Sequence, residues 1–305
     1  MPIEVSVIVP TYDRPQDLEA CLNSLALQSL GRDRFEVLVV DDGSPPSTAE
    51  VVQAARERTD LNLRYFRQAN RGPAAARNLG VDQAATDLVA FTDDDCRPDV
   101  SWLAELLRAL PDDGNCAGVG GETVRLRDTL TGRYIDEIGM LRPHIRGGPG
   151  DYLVTANALF RRGCLKAVGG FEPEFRWAGG EDVELSARLR SHGYRLIATR
   201  TALVRHNHRD RVNELYATFV RYGRGEAEQA NLGRKRRFYH RWVGFYFLGC
   251  AGHWVLESAR LCARPGLRFR DRLAFPWLRL ISNAGIFTGY ASHRRRFLRP
   301  APSPG

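Results

Sequence analysis

The sequence lacks several features that would assign it to a class at once. No two cysteines are spaced C-x-x-C, and the six cysteines form no zinc-like cluster. A chain of 305 residues is also too long to need a disulfide framework. No uninterrupted apolar run approaches the roughly 20 residues that span a bilayer. We therefore expect a protein of a reducing compartment and predict that it is cytoplasmic.

Four recognisable motifs are also absent, and each absence excludes a kind of site or segment. The chain contains no G-x-x-x-x-G-K-[ST], no G-x-G-x-x-G and no H-E-x-x-H. These absences exclude a P-loop, a dinucleotide-binding fingerprint and a zinc-protease helix. The N-terminus has no basic region before its apolar run and no A-x-A pattern, so we interpret it as a first strand and not as a signal peptide.

Charge is distributed unevenly along the chain. Residues 1–220 contain 27 Lys and Arg against 32 Asp and Glu, a net charge of −5. Residues 221–305 contain 17 against 4, a net charge of +13, and the two values sum to +8. A strongly basic tail on an acidic body indicates contact with nucleic acid or with an anionic membrane.

The first two hundred residues alternate short apolar runs with helical patterns, which is typical of an α/β layer architecture. A helix is expected to begin near Pro15, and a polar, glycine-rich loop is expected over 125–150. Strands are predicted at 5–9, 35–40, 61–66, 88–92, 116–124, 152–160 and 195–204. Helices are predicted at 73–85, at 100–110, at 181–191 and from about 212 onward.

Acidic and polar residues follow three of the predicted strands. Pro10, Thr11, Tyr12 and Asp13 follow the first strand, residues 41–44 the second and residues 93–95 the fourth. The carboxyl ends of parallel strands form one edge of a sheet, where ligands bind in such folds. One such cluster is equally well explained as a turn, but three converging ones repel unless a cation or donor lies among them.

The triple aspartate at 93–95 gives the sharpest signal. Alternation along a strand places Asp93 and Asp95 on one face and Asp94 on the other. Carboxylate oxygens suit Mg²⁺ or Mn²⁺ together with substrate phosphates. One aspartate of the pair is therefore a candidate for a ribose contact and the other for a metal; the alternative is capping of the following helix.

Two further features are weaker on their own. Arg71 and Arg77 surround a predicted helix start, which suits an anion, although exposed arginines are common. Trp177 offers a flat apolar face to a sugar ring, although a packed tryptophan is equally plausible.

Five segments together resemble the family 2 glycosyltransferases of the GT-A fold, in order and in spacing, over roughly residues 3–210. They are Val7 to Tyr12 (VIVPTY), Val39 to Ser44 (VVDDGS), Asn70 to Pro73 (NRGP) with Ala76 to Asn78 (ARN), Phe91 to Asp95 (FTDDD), and Gly169 to Leu185. The resemblance implies a Rossmann-like, mostly parallel sheet flanked by helices. It further implies a catalytic domain over 1–211, with a nucleotide-sugar half at about 1–115 and an acceptor half at 116–211. Residues 212–305 lie outside the resemblance, and their helical, basic and aromatic pattern predicts a C-terminal helical extension.

The resemblance also implies roles for individual residues. Asp182 would be the general base, and Asp95 would hold Mg²⁺ or Mn²⁺ with His206, for which His208 is an alternative. The implied nucleotide contacts are Pro10, Thr11, Tyr12, Asp13, Asp42, Arg71, Arg77, Asp93 and Asp94. The implied acceptor or sugar contacts are Trp177, Gly180 and Glu181.

The implied reaction moves a sugar from a nucleoside diphosphate, UDP being favoured, to a hydroxyl acceptor with inversion at the anomeric carbon. The acceptor would be lipid-linked or a glycan, and no nucleic-acid partner is expected. A sugar-nucleotide nucleotidyltransferase is an alternative, but it needs a glycine-rich loop near the N-terminus, and residues 10–15 contain no glycine. A nucleic-acid binder built on the basic tail is a second alternative.

The tail leaves two interpretations open. Residues 234–237 are a basic cluster, and residues 242–248 are apolar and aromatic. Basic residues beside aromatic helices are typical of a helix in the membrane interface, which would attach the protein to the cytoplasmic face of a membrane. The alternative is a helical subdomain that packs on the body or forms a homodimer.

Overall fold

The computed structural model describes residues 2–148, 150–232 and 266–297, with short pieces at 255–256, 259–261 and 263–264. The basic cluster 234–237 and the aromatic run 242–248 lie outside the described residues. The chain divides into two compact units. Unit 1 comprises Met1–Arg127, Gly139–Arg176 and Glu181–His208, and unit 2 comprises Asp128–Ile138, Trp177–Gly180 and Arg209–Gly305.

Unit 1 is built on one eight-stranded sheet with the order β3-β2-β1-β4-β7-β6-β8-β5. Its strands are β1 (Val5–Thr11), β2 (Phe35–Asp41), β3 (Leu63–Arg67), β4 (Leu88–Phe91), β5 (Cys96–Pro98), β6 (Cys116–Arg125), β7 (Ala158–Arg161) and β8 (Arg195–His206). Strands β3, β2, β1 and β4 pair in parallel, as do β6 and β8, and the remaining pairs are antiparallel. The sheet is therefore mixed. Its parallel half includes β1, β2 and β4, and the three predicted polar clusters lie at the carboxyl ends of these strands.

Helices alternate with these strands along the chain, and two long helices follow the last strand. The α-helices of the chain are α1 (Pro15–Leu25), α2 (Ser47–Thr59), α3 (Pro73–Gln83), α4 (Trp102–Ala109), α5 (Leu130–Ile138), α6 (Arg162–Ala167), α7 (Glu181–Ser191), α8 (Val212–Asn231) and α9 (Phe269–Phe297), with a 3₁₀ turn at Thr155–Asn157. β1 and β2 are buried along their whole length, which their β-branched composition favours. One hydrophobic core joins both halves of the sheet and includes Val7, Val37, Trp102, Leu159 and Val204.

The predicted α/β architecture with a helical C-terminal part is confirmed, and several local predictions are wrong. The expected loop at 125–150 contains α5, and only the end of the expected strand at 152–160 pairs in the sheet, as β7. The sequence pattern predicted none of α2, α6 and the short β5. α5 was missed because its apolar face packs within unit 2, whereas its neighbours in sequence are polar and rich in glycine.

Unit 2 is helical and its two long helices approach each other closely. A Cβ atom on Gly223 of α8 would lie 2.0 Å from the Ile286 carbonyl oxygen, and one on Gly289 of α9 would lie 2.0 Å from that of Val220. Only glycine permits backbones this close. Arg133 of α5 donates two hydrogen bonds of 2.8 Å to Asp271 of α9. Within the described part of the chain, no helix is both long enough and apolar enough to cross a membrane.

Candidate functional site

The ends of β1 and β4 are tied together by a buried hydrogen bond. These strands are parallel neighbours, so their carboxyl ends lie side by side at one edge of the sheet. The Thr11 hydroxyl donates to Asp94 Oδ2 over 2.8 Å, and both residues are buried. The chain then turns at Asp13, which has a left-handed φ of 53° and donates its backbone N–H to Ser44 Oγ. The structure therefore brings the three predicted strand-end clusters to one edge.

Asp42, at the end of β2, organises the loop that enters α3. Its carboxylate accepts hydrogen bonds from Gln68 Nε2 (2.7 Å) and from the backbone N–H groups of Arg71 (2.9 Å) and Gly72 (2.8 Å). A carboxylate has about four acceptor positions. Oδ1 accepts two of these three hydrogen bonds, and Oδ2 accepts only the one from the Gly72 N–H. One acceptor position of Oδ2 therefore remains.

Gly72 is required at the start of α3. Its φ is +93°, and a Cβ atom there would lie 2.6 Å from the Arg176 Cα atom, also in unit 1. Pro73 follows at the first helical position, where its missing N–H costs nothing. The Gly72-Pro73 pair thus fixes where α3 begins, while the side chain of Arg71 is exposed beside it.

The three aspartates at 93–95 do not alternate as residues of a strand do. β4 ends at Phe91, and the chain makes a turn closed by a hydrogen bond from the Cys96 N–H to the Asp93 carbonyl oxygen. Asp94 and Asp95 share one cation, whereas Asp93 contacts a different one. The predicted grouping of Asp93 with Asp95 is therefore replaced by a grouping of Asp94 with Asp95.

The shared cation is Arg14, which was not among the predicted site residues. Its Nη1 lies 3.3 Å from Asp94 Oδ1 and also contacts Asp95 Oδ2. The guanidinium is largely buried, and the two carboxylates hold its pKa above the usual range despite the cost of burial. A signal was present in the sequence: Arg14 directly follows residues 10–13, the cluster that was predicted to converge on the aspartates.

Burial and neighbouring charge shift the pKa values of this pair in opposite directions. Burial and the Asp95 charge raise the pKa of Asp94 to about 7. Burial opposes ionisation of Asp95 too, but His206 and Arg14 outweigh it and hold the pKa of Asp95 well below its usual range. Asp95 is therefore the ionised member of the pair at neutral pH, and an ionised carboxylate is what a metal ion needs.

His206 reaches Asp95 because β5 and β8 pair antiparallel, with Cys96 opposite His206. The His206 Nε2 atom lies 3.1 Å from Asp95 Oδ1. Burial disfavours the charged imidazole, but Asp95 outweighs it and raises the pKa of His206. The buried Nδ1 atom has no hydrogen-bond partner among the residues that the structure describes. The ring also stacks on His208, at 4.5 Å between centroids.

The possible ligand atoms of Asp95, Cys96 and His206 lie within 4.8 Å of one another. Burial raises the pKa of the Cys96 thiol well above its usual value, so this sulfur is a poor ligand. A carboxylate and an imidazole with an unused buried nitrogen remain. This donor set fits Mn²⁺ or Mg²⁺ completed by substrate oxygens.

Arg77 joins the aspartate turn to the start of α7. It is buried, and its guanidinium donates to Asp93 Oδ1 and to Glu181 Oε1, both over 2.8 Å. Sequence reasoning gave Arg77 a nucleotide contact and Glu181 an acceptor contact. The structure pairs these two side chains with each other in the interior of unit 1, and the Arg77 guanidinium thereby connects Asp93 to the start of α7.

Asp182 lies in the first turn of α7, next to Glu181. Its Oδ1 accepts a hydrogen bond from the Val183 N–H over 2.8 Å. Burial raises the pKa of Asp182 to about 7, and the adjacent Glu181 carboxylate adds to the shift while Arg77 opposes it. A carboxylate with this pKa can accept a proton near neutral pH.

Two other predicted residues, Trp177 and Gly180, belong to unit 2 and contact α8. The Arg224 guanidinium carbon lies 4.5 Å from the centre of the Trp177 ring, a cation–π contact that covers one face of the indole. The Gly180 carbonyl accepts a hydrogen bond from Gln229 Nε2 over 3.0 Å. Of the remaining predicted residues, Pro10 is buried in β1 and the Tyr12 side chain is 52% exposed.

Comparison with known proteins gives one family. The model of the family described as "Glycosyl transferase family 2" matches residues 6–169. The glycosyltransferase AglE of Haloferax volcanii is 29% identical over 297 residues, covering 92% of this chain and 94% of that protein. The pre-mycofactocin glycosyltransferase of Mycobacterium tuberculosis is 31% identical over 236 residues, covering 74% of this chain and 47% of that protein. The chain thus spans nearly all of the first relative and about half of the second.

Solved structures show the same fold. A mannosyltransferase from Pyrobaculum calidifontis, determined with GDP-Man and Mn²⁺, superposes with a TM-score of 0.69 at 21% identity, over 96% of this chain and 88% of that one. S. aureus TarS 1–349 in complex with UDP gives a TM-score of 0.54 at 22% identity, over 96% of this chain and 92% of that one. Likeness at this level of identity establishes the architecture, and the predicted GT-A fold is confirmed.

Proposed function

We propose that this chain, which belongs to glycosyl transferase family 2 and is a glycosyltransferase, moves a sugar from a UDP-sugar to a hydroxyl group with inversion at the anomeric carbon. One observation supports this best: Arg77 donates hydrogen bonds both to Asp93 and to Glu181, the neighbour of Asp182. This link fixes a donor-side carboxylate and a base with a pKa of about 7 in one unit.

On the donor side, Asp42 is proposed to meet the nucleobase. Its Oδ2 atom has an acceptor position left after holding the loop before α3, and such an atom can accept a base N–H. The partly exposed carboxylate of Asp93 is proposed to reach the ribose. The exposed side chain of Arg71, next to the helix start at Gly72, is the cation that we assign to the nucleotide phosphates.

We assign the divalent cation to Asp95 and His206. Two features support this assignment: the contacts of Asp95 with His206 and Arg14 hold the pKa of its buried carboxyl low, and the buried Nδ1 of His206 has no partner in the described parts of the chain. When bound, Mg²⁺ or Mn²⁺ would neutralise the negative charge that develops on the diphosphate leaving group. Arg14 balances the charge of the same carboxylates in the protein alone.

Asp182 is the proposed general base. An acceptor hydroxyl is barely ionised at neutral pH and needs a base within hydrogen-bond reach. The first turn of α7 fixes the Asp182 carboxylate, and the Arg77–Glu181 ion pair fixes that turn. Attack from the side opposite the leaving group inverts the anomeric centre. The acceptor is proposed to be a lipid-linked or glycan hydroxyl.

A donor panel tests this proposal. UDP-glucose, UDP-N-acetylglucosamine, GDP-mannose and dTDP-glucose, each with Mn²⁺ or Mg²⁺, are compared by thermal shift and by release of nucleoside diphosphate. We expect a UDP-sugar with metal to give the largest stabilisation, and the Asp95→Asn variant to lose it, whereas Asp112→Asn, at an exposed carboxylate, keeps it. Slow transfer to water should release the inverted sugar anomer first, as NMR can record before mutarotation. Retention of configuration or an equal response to every donor would contradict the respective part of the proposal.

A further inference from the structure

Helix α9 has two apolar faces, and the interior of unit 2 uses only one of them. Phe275 and Leu278 are buried, and the Phe275 ring packs edge-on against Tyr134 with 5.6 Å between centroids. Gly285 and Gly289 continue the same face and lie against α8. These positions are three, seven and four residues apart, as expected for one side of a helix.

The second face carries large apolar side chains that are exposed to solvent. Phe269 is 76% exposed, Leu273 59%, Trp277 65% and Leu280 44%. Their spacing of four, four and three residues places them within an arc of about 80° on the helix. We call these four residues the α9 stripe. An exposed apolar surface of this kind marks a site of interaction with a partner or a membrane.

Charge around the α9 stripe indicates which partner it suits. α9 contains six arginines and a single acidic residue, Asp271. Asp271 is buried and neutralised by Arg133, so it gives the surface no negative charge. Arg268 and Arg270 are exposed on either side of Phe269, and Arg268 forms an ion pair of 3.0 Å with Asp128. The surface is therefore apolar along the stripe, and Arg270 adds a positive charge at its N-terminal end.

We propose that the α9 stripe docks unit 2 on an anionic lipid bilayer, with α9 lying in the plane of the interface. Phe and Trp side chains partition into this zone, and flanking arginines are attracted by acidic headgroups. Two other occupants are disfavoured by charge. A second copy of the chain would bring another strongly basic surface against this one. The chain's own residues 234–241 carry five Lys and Arg, which oppose docking here, whereas residues 242–254 carry none, and docking of the latter would show as a lower melting temperature when the stripe is truncated. A nucleic acid is also disfavoured, because bases stack on aromatic rings and two of the four stripe residues are leucines.

Vesicle sedimentation of the full chain tests the proposal. Wild-type protein is mixed with vesicles of phosphatidylcholine alone, or of equal parts phosphatidylcholine and phosphatidylglycerol. We expect sedimentation with the anionic vesicles and not with the neutral ones, weakened by salt. The double variant Leu273→Ala with Trp277→Ala should lower the partition coefficient by about tenfold or more. Because both side chains are exposed, its melting temperature should match that of the wild type.

The matched control removes two exposed apolar side chains of unit 1, in the variant Leu27→Ala with Val100→Ala. It should bind vesicles like the wild type. Equal binding by the α9 variant would overturn the proposal, because the basic residues alone would then account for attachment. So would failure of the wild type to bind anionic vesicles. If light scattering shows that the wild type is a dimer and the α9 variant is a monomer, the stripe is assigned to contact with a second copy instead.

Discussion

The Arg14 guanidinium lies between the carboxylates of Asp94 and Asp95, 3.3 Å from Asp94 Oδ1 and in contact with Asp95 Oδ2. These two carboxylates are adjacent in sequence and both are buried. Without a cation between them they would repel each other in a medium that screens charge poorly. Arg14 thus occupies, in the protein alone, the place where positive charge is needed.

Replacing Arg14 tests this relationship. Arg14→Gln should lower the free energy of unfolding by about 3 kcal/mol without metal, because it leaves a buried carboxylate uncompensated. The same variant should bind Mn²⁺ more tightly than the wild type, since the ion no longer competes with the guanidinium. Chemical unfolding with and without Mn²⁺, together with calorimetric titration, measures both. The control Arg32→Gln removes a largely exposed ion pair with Asp60 and should change neither by much. Unchanged stability and metal affinity in Arg14→Gln would contradict the assignment.

The two stacked histidines should differ in their effect on metal binding. His206→Gln should weaken Mn²⁺ binding by about tenfold or more, because it removes the imidazole beside Asp95. His208→Gln keeps that imidazole and should bind Mn²⁺ nearly as the wild type does. Calorimetric titration of both variants decides between the two residues, and a larger loss in His208→Gln would reverse the assignment.

The proposed role of Asp182 as general base predicts how the rate of sugar transfer depends on pH. The pKa of its carboxyl is raised to about 7, and only the ionised form can accept a proton, so the rate should rise with pH through about 7 and then level off. Asp182→Asn should lower the turnover number by about a hundredfold or more while donor affinity stays within a few-fold. The pH profile of the residual activity should lose this ionisation. Near-normal turnover in the variant would exclude Asp182 as the base.

Substitutions of Arg77 and Arg71 should have different effects, the first on stability and the second on donor binding. Arg77→Met should lower the free energy of unfolding by about 3 kcal/mol or more, because it leaves Asp93 and the buried Glu181 without their cation. Arg71→Met alters an exposed side chain, so it should leave stability nearly unchanged and weaken donor binding instead. Denaturation curves and donor titrations of both variants provide the comparison. The reverse pattern would assign Arg77 to the nucleotide and Arg71 to the fold.

Gly72 should tolerate no side chain. Gly72→Ala places a methyl group within 3 Å of the Arg176 backbone and at a φ that alanine avoids, so we expect a loss of about 3 kcal/mol or more in stability. Gly163→Ala is the control, because nothing lies within 4 Å of its Cβ position and its φ is not positive. It should be neutral or slightly stabilising by helix propensity. Equal melting temperatures for the two variants would show that the loop before α3 can move aside.

The sequence by itself determined the parallel half of the sheet, the strand-end clusters and the family, because these rest on local patterns: buried β-branched runs, turn residues after them and ordered motifs. Tertiary structure decided which charges meet. Arg14 reaches Asp95 across 81 residues and Arg77 reaches Glu181 across 104. No periodicity encodes such contacts, since they arise only when separate elements pack. For the same reason the folded chain, not its motifs, assigned α5 and Trp177 to unit 2 and left one apolar face of α9 exposed.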